Sequence, residues 1–393
     1  MTVFKIFMNK LSVFTCPLFL KSIQLSCSLL IKGQDMRKKR TEIANPNYSN
    51  TFHITNRCVR KGFLLGDDRP TRGKVRKRRQ IVLRRVEALA AAYAIDILRV
   101  SFMENHLHLE LRNRPDLIEL MSDVEVARRY LMIYPGYCQA TADARKTKPD
   151  KPTEEDIQKL AADKKKIKEY RSVLSSISRF MQSLNFYTAK YFNLVDGMSG
   201  AFWESRYKLK LLLDDLSILL CALYIDLNPI RAGMHLRIED SEFTSAFYQL
   251  CAEVILSGDP GYDPSKLPNA FLAPVTISPN EEDRKRSSVS NRASDFGFTD
   301  MTSKEYLTTL DLMGRIITKK GTGGIPDSVP PIFERLNLNW NSVVQLVSAY
   351  EELFCFFVGT SASLEAKAKE LKSGKLRCPA VRQGLMPSAK TKT

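Results

Sequence analysis

The stretch AIDILRVSFMENHLHLELR, Ala94 to Arg112, decides how the rest of the chain is read. AIDILRVSFM and HLHLELR read as two strands in succession. Successive side chains of a strand point to opposite faces, so His106 and His108 share one face and Leu107 and Leu109 the other. The leucines can then bury against a helical layer while both imidazoles point at a common spot. Neutral imidazole nitrogens at that spacing can chelate one divalent ion, and Glu110 continues the same face as a further ligand or partner. Taken alone, the pattern is more commonly explained by two ordinary core or surface histidines.

Working outward, TFHITNR alternates apolar and polar residues and predicts a first strand over Thr51–Arg57. A turn is expected at Gly66–Pro70 and a long helix over Gly73–Tyr93. Arg72 just before that helix and Lys74, Arg76, Lys77, Arg78, Arg79, Arg84 and Arg85 within it form a basic cluster. Its later half, VEALAAAYAI, is apolar enough to pack on a sheet. Beyond Pro115 the pattern is helical up to a Pro-Gly breaker, and Ala140–Lys168 reads as a solvated, charged insertion leading into a helix. A helix is expected over Tyr170–Phe192, a glycine-rich turn at Asp196–Gly200, a linker over Pro260–Arg292, and helical patches near Tyr306–Thr318 and Val343–Val358. The basic tail from Lys367 is expected to fray.

A second informative stretch is DDLSILLCALYIDLNPIRAG, Asp214 to Gly233. Asp214 or Asp215 can cap a helix there, and Asn228-Pro229 closes it. Leu216, Leu219, Leu220, Leu223 and Leu227 form an apolar stripe at helical spacing. Tyr224 lies beside the stripe, so its ring can pack while its hydroxyl reaches a cleft. Asn228 follows four residues later on the same side. At this point an amphipathic tyrosine at the edge of a core is the better explanation of Tyr224.

Charge adds a partner class. Lys and Arg number 60 against 43 Asp and Glu, a formal +17, which points to a polyanion: nucleic acid or an acidic membrane surface. The eight cysteines contain no CxxC pair, which argues against a zinc site or a dense disulfide framework. The segment LSVFTCPLFLKSIQLSCSLLI looks like a signal or membrane stretch, but Lys21 interrupts it and no small-residue cleavage site follows. Residues 1–44 are therefore read as a disordered leader or a mis-assigned start, with Met36 as a natural first residue.

In combination the segments TFHITNR, FMENHLHLELR, GAFWESRYK and LYIDLNPIRAG resemble, in that order, the REP-associated tyrosine transposases, a branch of the single-tyrosine HUH transposases. That family's usual forms look like YHVTNR, VMPNHVHLL, GPLWEGRYK and YIELNPVRAG. The likeness spans Asn45 to Gln249, about half the chain, and ISRFMQSLNFYTAKYFNLVDGMSG is similar to a segment of the branch's longer forms. Glu104 stands where the family commonly has proline, and Asp226 where it has glutamate.

The resemblance implies an α+β fold: a ferredoxin-like antiparallel sheet with helices on one face, an HUH nuclease domain over 45–250, and a linker with a helical accessory region over 251–393. It implies that His106 and His108 hold Mg²⁺ or Mn²⁺, that Tyr224 is the nucleophile, and that Asn228 is a third ligand. Arg57, Arg206 and Lys208 fall in motifs near the DNA path, and Arg76 and Arg79 belong to the basic helix expected to contact phosphates. Trp203, Tyr207 and Phe186 are candidates for stacking on bases. The implied substrate is single-stranded DNA beside a hairpin, cut through a 5′-phosphotyrosine link that retains the ester's energy. The absence of a GxxxxGK[ST] loop agrees with a reaction that needs no ATP. A cytoplasmic, nucleoid-associated monomer or homodimer without membrane attachment is expected. The rival readings are a replication initiator or relaxase, a domesticated nucleic-acid-binding protein that no longer cuts, and a membrane-associated protein using the apolar leader.

Overall fold

A computed structural model describes residues 43–66, 76–134, 152–318, 347, 350–371, 376, 378–383 and 385–386. The chain divides into two compact units, Met1–Ile43 and Ala44–Thr393, and every element named below belongs to the second. The leader, the turn after Gly66, the basic run from Arg72 to Val75 and the start of the charged insertion lie outside the described residues.

Strand β1 (Asn50–Arg57) is followed by helix α1 (Arg76–Ala92), then β2 (Ile95–Phe102) and β3 (His106–Asn113). Helices α2 (Pro115–Leu120), α3 (Asp123–Ile133), α4 (Glu154–Ala162), α5 (Lys164–Leu174) and α6 (Ile177–Asp196) come next. They lead to β4 (Lys208–Leu212), α7 (Asp215–Asp226), the single turn α8 (Asn228–Arg231) and α9 (Ser245–Gly258). After α10 (Ser303–Thr318), the chain adds α11 (Tyr350–Leu353), β5 (Phe357–Val358), α12 (Ser361–Glu370) and α13 (Pro379–Arg382). The strands form one five-stranded sheet in the order β2-β3-β1-β4-β5, antiparallel except for the β4–β5 pair. The architecture is α+β.

The register explains how one face of this sheet collects polar residues. Cross-strand partners share a face, and the pairs run Arg57–His106, Thr55–His108 and His53–Glu110 between β1 and β3. On the other side of β1, His53 pairs with Lys210 and Thr55 with Lys208. In β2 the pairing slips between Ile97 and Arg99, so Leu98 is the extra residue of a bulge. Without that bulge the sequence IDILRVSF would put Asp96 and Arg99 on opposite faces. With it, Asp96, Arg99 and Ser101 join the polar face, and Ile95, Ile97, Val100 and Phe102 join the apolar one. Arg99, Glu110, His53 and Lys210 thus lie in one row across four strands, with Ser101, His108, Thr55 and Lys208 in the next.

The expectation of helices on one face does not hold. Every residue of β2 is buried, which requires cover on both sides. The apolar face packs under α6, where Asn56 Nδ2 donates to Asn185 Oδ1 at 3.0 Å, and α6 in turn packs against α1. The polar face is covered by α7, whose residues from Leu216 to Asp226 are buried except Ile218. A helix apolar on all sides belongs in an interior, and this one is held there by polar contacts at its end. Asp226 forms an ion pair with Arg99 at 3.2 Å and accepts from Tyr306 Oη at 2.8 Å and from Ala246 N at 3.0 Å.

The region after Cys251, expected as linker and accessory helices, is woven into the same unit. Arg112 donates to Gly297 O, Arg114 to Ser294 Oγ and to Arg284 O. Strand β5 continues the sheet through Leu211 N→Phe356 O and Leu213 N→Val358 O. Asp214 caps α7 through Ser217 N at 2.8 Å with one oxygen, and its other oxygen accepts from Thr360 N at 2.8 Å and from Ser363 Oγ. One carboxylate therefore ties the start of α7 to the start of α12.

Gly297 marks the tightest of these contacts. A Cβ at that position would overlap the backbone carbonyl of Thr276, where Ile277 N donates to Thr299 O. Backbone cannot move aside as a flexible side chain can, so Gly297→Ala is expected to cost about 2–3 kcal/mol. Urea denaturation of the two proteins checks this, and unchanged stability would contradict the packing described.

Candidate active site

The candidate site lies on the polar face, beneath α7. His53 and His108 come from neighbouring strands and are 1% and 2% exposed. Their rings lie edge to edge, nearly parallel at 12° with centroids 5.1 Å apart, and His53 Nε2 is hydrogen-bonded with His108 Nδ1 at 2.9 Å. Thr55 Oγ1 sits 3.5 Å from the first nitrogen and 3.3 Å from the second. The outer nitrogens, His53 Nδ1 and His108 Nε2, have no hydrogen-bond partner. Tyr224 reaches this spot from α7: its ring is edge-on to both imidazoles, at 5.7 Å from His53 and 5.4 Å from His108.

A third contributor comes from α11. The Tyr350 ring stacks on Tyr224 at 4.4 Å, and the Tyr224 hydroxyl hydrogen-bonds with Glu351 and Arg231. The hydroxyl donates to the carboxylate and accepts from the guanidinium, which also lies 4.8 Å from the ring centre. Glu351 accepts from Lys210 Nζ at 3.0 Å. The Glu351 side chain as a whole is 46% exposed. Among the described residues, His53, His108 and Glu351 each offer a ligand atom within 4.8 Å of the others, a set able to hold a metal ion.

Burial sets the protonation states. It pushes His53 down to about 3 and His106 down to about 4, and holds His108 well below the usual imidazole range. All three rings are neutral at pH 7 and keep a lone pair for a ligand or proton. Burial works against the Glu351 carboxylate, but the Lys210 ammonium, His53 and the Tyr224 hydrogen bond bring it below its ordinary value. Burial raises Tyr224, Glu351 adds to that rise, and Arg231 opposes it, so the phenol is protonated. Burial pushes the fully buried Glu110 well above the carboxylate range, against the pull of Arg99 and Arg112 and a hydrogen bond from Cys221.

These shifts carry a stability prediction. An unfolded histidine takes up its proton near pH 6.5, whereas folded His53 and His108 resist it, so the folded state binds fewer protons in mild acid. Their contribution is complete above pH 6.5 and is lost as pH falls toward about 3. Each such ring costs about 1.4 kcal/mol per pH unit, so the two together should lose roughly 2–3 kcal/mol between pH 7 and pH 5.5, opposed by the raised carboxyls of Glu110 and Asp226, which gain stability over the same interval. Urea melts of the wild type and of His53→Asn at the two pH values isolate the histidine contribution, and the same pH dependence in both would exclude a neutral buried imidazole at this position.

The sequence-derived residues fare unequally. His108 and Tyr224 lie side by side, with ring centres 5.4 Å apart. His106 is 4.9 Å from His108 between ring centres, but its Nδ1 pairs with Asn105 Oδ1 at 2.5 Å, and it is not in the His–His–Glu set. Asn228 opens α8 and is buried with its Nδ2 unpartnered. Arg57, Arg206 and Lys208 are exposed. Arg79 is buried with its guanidinium 4.9 Å from the Phe243 ring centre, so it packs inside the fold, and the side chain of Arg76 lies outside the described residues. Trp203 and Tyr207 are buried too, whereas Phe186 is exposed.

Two residues of the site, His53 and Glu351, went unread in the sequence. His53 had a signal: alternation in TFHITNR puts it on the face opposite Phe52 and Ile54. Glu351 had none, being brought in by tertiary structure.

Comparison with known proteins adds little. No family model matches the chain, and no curated protein matches it. A solved structure of a REP-associated tyrosine transposase bound to a REP hairpin is similar at a TM-score of 0.28 and 10% identity, over 55% of this chain and 82% of that one. A likeness of that size carries no functional argument. Function must be argued from the site.

Proposed function

We propose that this chain is a metal-dependent transposase of the single-tyrosine HUH kind, which cuts and rejoins single-stranded DNA next to a hairpin with Tyr224 as nucleophile. The observation that carries the reading is the meeting of Tyr224 from a helix with paired, neutral histidines from the sheet. The order β–α–β–β–α–β with strands β2-β3-β1-β4 side by side also suits a ferredoxin-like nuclease core. The net charge of +17 suits a polyanionic substrate.

The residues present fit a divalent ion. Among the described residues, His53, His108 and Glu351 offer ligand atoms within 4.8 Å of one another, and the outer nitrogens His53 Nδ1 and His108 Nε2 are buried without a partner. A bound ion would polarise a phosphate and, by its charge, favour the phenolate. Tyr224 supplies the attacking oxygen, forming an O–P bond as the bond from phosphorus to the 3′-oxygen breaks. Glu351 accepts the phenol's hydrogen bond and stands ready for its proton, while Arg231 supports the negative charge that develops on the oxygen. The 3′-oxygen leaves with a proton, and reversal of the same steps rejoins the strand.

Incubation with a labelled single-stranded hairpin and Mn²⁺ tests the reading. It expects a covalent protein–DNA adduct that disappears with chelator. Tyr224 is 4% exposed, so a phosphate reaches it only if the cover from Tyr350 moves. That burial gives the non-cutting nucleic-acid-binding alternative its one specific support, and a gel shift without any adduct would favour it.

A further inference from the structure

We infer that the outer face of α6 is a stacking platform for the unpaired bases of single-stranded DNA, on the opposite side of the sheet from the helix that carries Tyr224. The choice of DNA as the strand rests on the proposed function. The surface itself uses neither Tyr224 nor the histidines.

Helix α6 buries Phe180, Met181, Leu184 and Phe192 against the fold and turns a second apolar stripe outward. Phe186, Tyr187, Tyr191, Leu194, Val195 and, just past the helix, Met198 are all exposed, Phe186 at 69% and Leu194 at 79%. A helix that served only to cover the sheet would carry polar residues on that side. A contiguous exposed apolar patch marks an interaction site. Residues 186, 187, 190, 191, 194 and 195 recur at helical spacing, so the stripe runs about 14 Å along the helix.

Charge decides what the stripe receives. Lys190 sits in its middle, with Nζ 6.0 Å from the Phe186 ring centre, and the Arg85 guanidinium of α1 lies 4.8 Å from the Tyr187 ring centre. Asp196 is the one acid on α6, and it is paired with Arg78. The Tyr187 and Tyr191 rings are nearly parallel at 15°, with centres 6.4 Å apart, so their faces share one orientation. Aromatic faces interleaved with cations fit a strand that offers bases and phosphates in turn. A second copy of the chain fits less well, because a two-fold pairing of antiparallel helices centred on the stripe would set Lys190 against its own copy.

The stripe also leads toward the histidine end of the sheet. Asn193 Nδ2 donates to Gly200 O at 2.8 Å, and the segment that follows pairs Trp203 with Cys58. Glu204 N donates to Arg57 O at 2.8 Å, and Arg57 is the cross-strand partner of His106. Arg57, Arg206 and Lys208 are exposed there, so a strand leaving the stripe meets cations before it reaches the histidines.

Fluorescence anisotropy of the full chain with two labelled DNA hairpins, one blunt and one with an oligothymidine extension, tests this. Chelator is present so that no cleavage intervenes. Tyr187→Ala and Tyr191→Ala should each weaken the extended hairpin by about five- to a hundredfold and leave the blunt one within about twofold. Lys190→Gln should lower the slope of log affinity against log salt by about 0.7. Phe186→Ala, at the most exposed ring, serves if a tyrosine variant fails to fold. Equal losses on both hairpins, or unchanged affinity in all the ring variants, would overturn the platform. So would a wild-type dimer in analytical ultracentrifugation that Leu194→Ser makes monomeric with DNA affinity intact, since a second copy would then occupy this face. Extension-dependent binding without a covalent adduct would leave the platform standing and remove the transposase reading alone. An adduct in the wild type with unchanged binding in the ring variants would remove the platform alone.

Discussion

Tyr224→Phe is expected to abolish the covalent DNA adduct, by about three orders of magnitude or more, while leaving the fold in place. The change removes one oxygen. The ring keeps its stack on Tyr350 and its edge contacts with His53 and His108, which depend on carbon surface. Loss of the hydroxyl's two hydrogen bonds, to Glu351 and from Arg231, should cost about 1–3 kcal/mol of stability, because both partners are charged. Adduct on a denaturing gel and a urea melt separate the two effects. Adduct formation at wild-type level by Tyr224→Phe would remove this tyrosine from the chemistry. Simultaneous loss of fold would show instead that the phenol is a structural post.

The second large effect concerns stability. Arg99→Met should cost about 3–5 kcal/mol. Arg99 is fully buried, pairs with Asp226 at 3.2 Å and stacks 4.3 Å from the Phe298 ring centre. Burial pushes Asp226 up to about 6 even beside this guanidinium, a measure of how poorly the interior tolerates that carboxylate. Without Arg99 the charge would lose its main compensation, leaving the Tyr306 hydroxyl and backbone donors. The double variant Arg99→Met with Asp226→Leu should recover part of the loss, since a buried pair is seldom worth more than packed apolar groups. Denaturant melts of the three variants form the cycle. A single-variant cost under about 1 kcal/mol would mean that this pair does not hold α7 against the sheet. Because Asp226 lies two residues beyond Tyr224, Arg99→Met should also lower the adduct yield.

Much of this site could be read from the sequence because its signals are local. Alternation in TFHITNR and HLHLELR gave β1 and β3 nearly to the residue, and the capping Asp214 with its leucine stripe gave α7. What escaped depends on distant residues. KLKLL is a five-residue strand and β5 only two, each too short for its period to stand out. The bulge at Leu98 is set by pairing with β3, and no residue type in IDILRVSF marks it. His53 became part of the site because β1 pairs with β3, a neighbour not adjacent in the chain. The assumption of helices on one face failed because an alternating pattern shows which residues are polar, not whether a helix such as α7 will cover them. Asp96, Arg99 and Glu110 are charged, and all three are buried beneath such cover.

Peptide mapping of the adduct formed by the wild-type protein gives the most direct test of a phenol acting at a histidine-bound ion. After nuclease trimming, mass spectrometry should place the nucleotide on the peptide containing Tyr224. A nucleotide on Tyr350, which stacks on it, or on Tyr207, or no modified tyrosine under conditions where Mn²⁺ and hairpin DNA both bind, would contradict it.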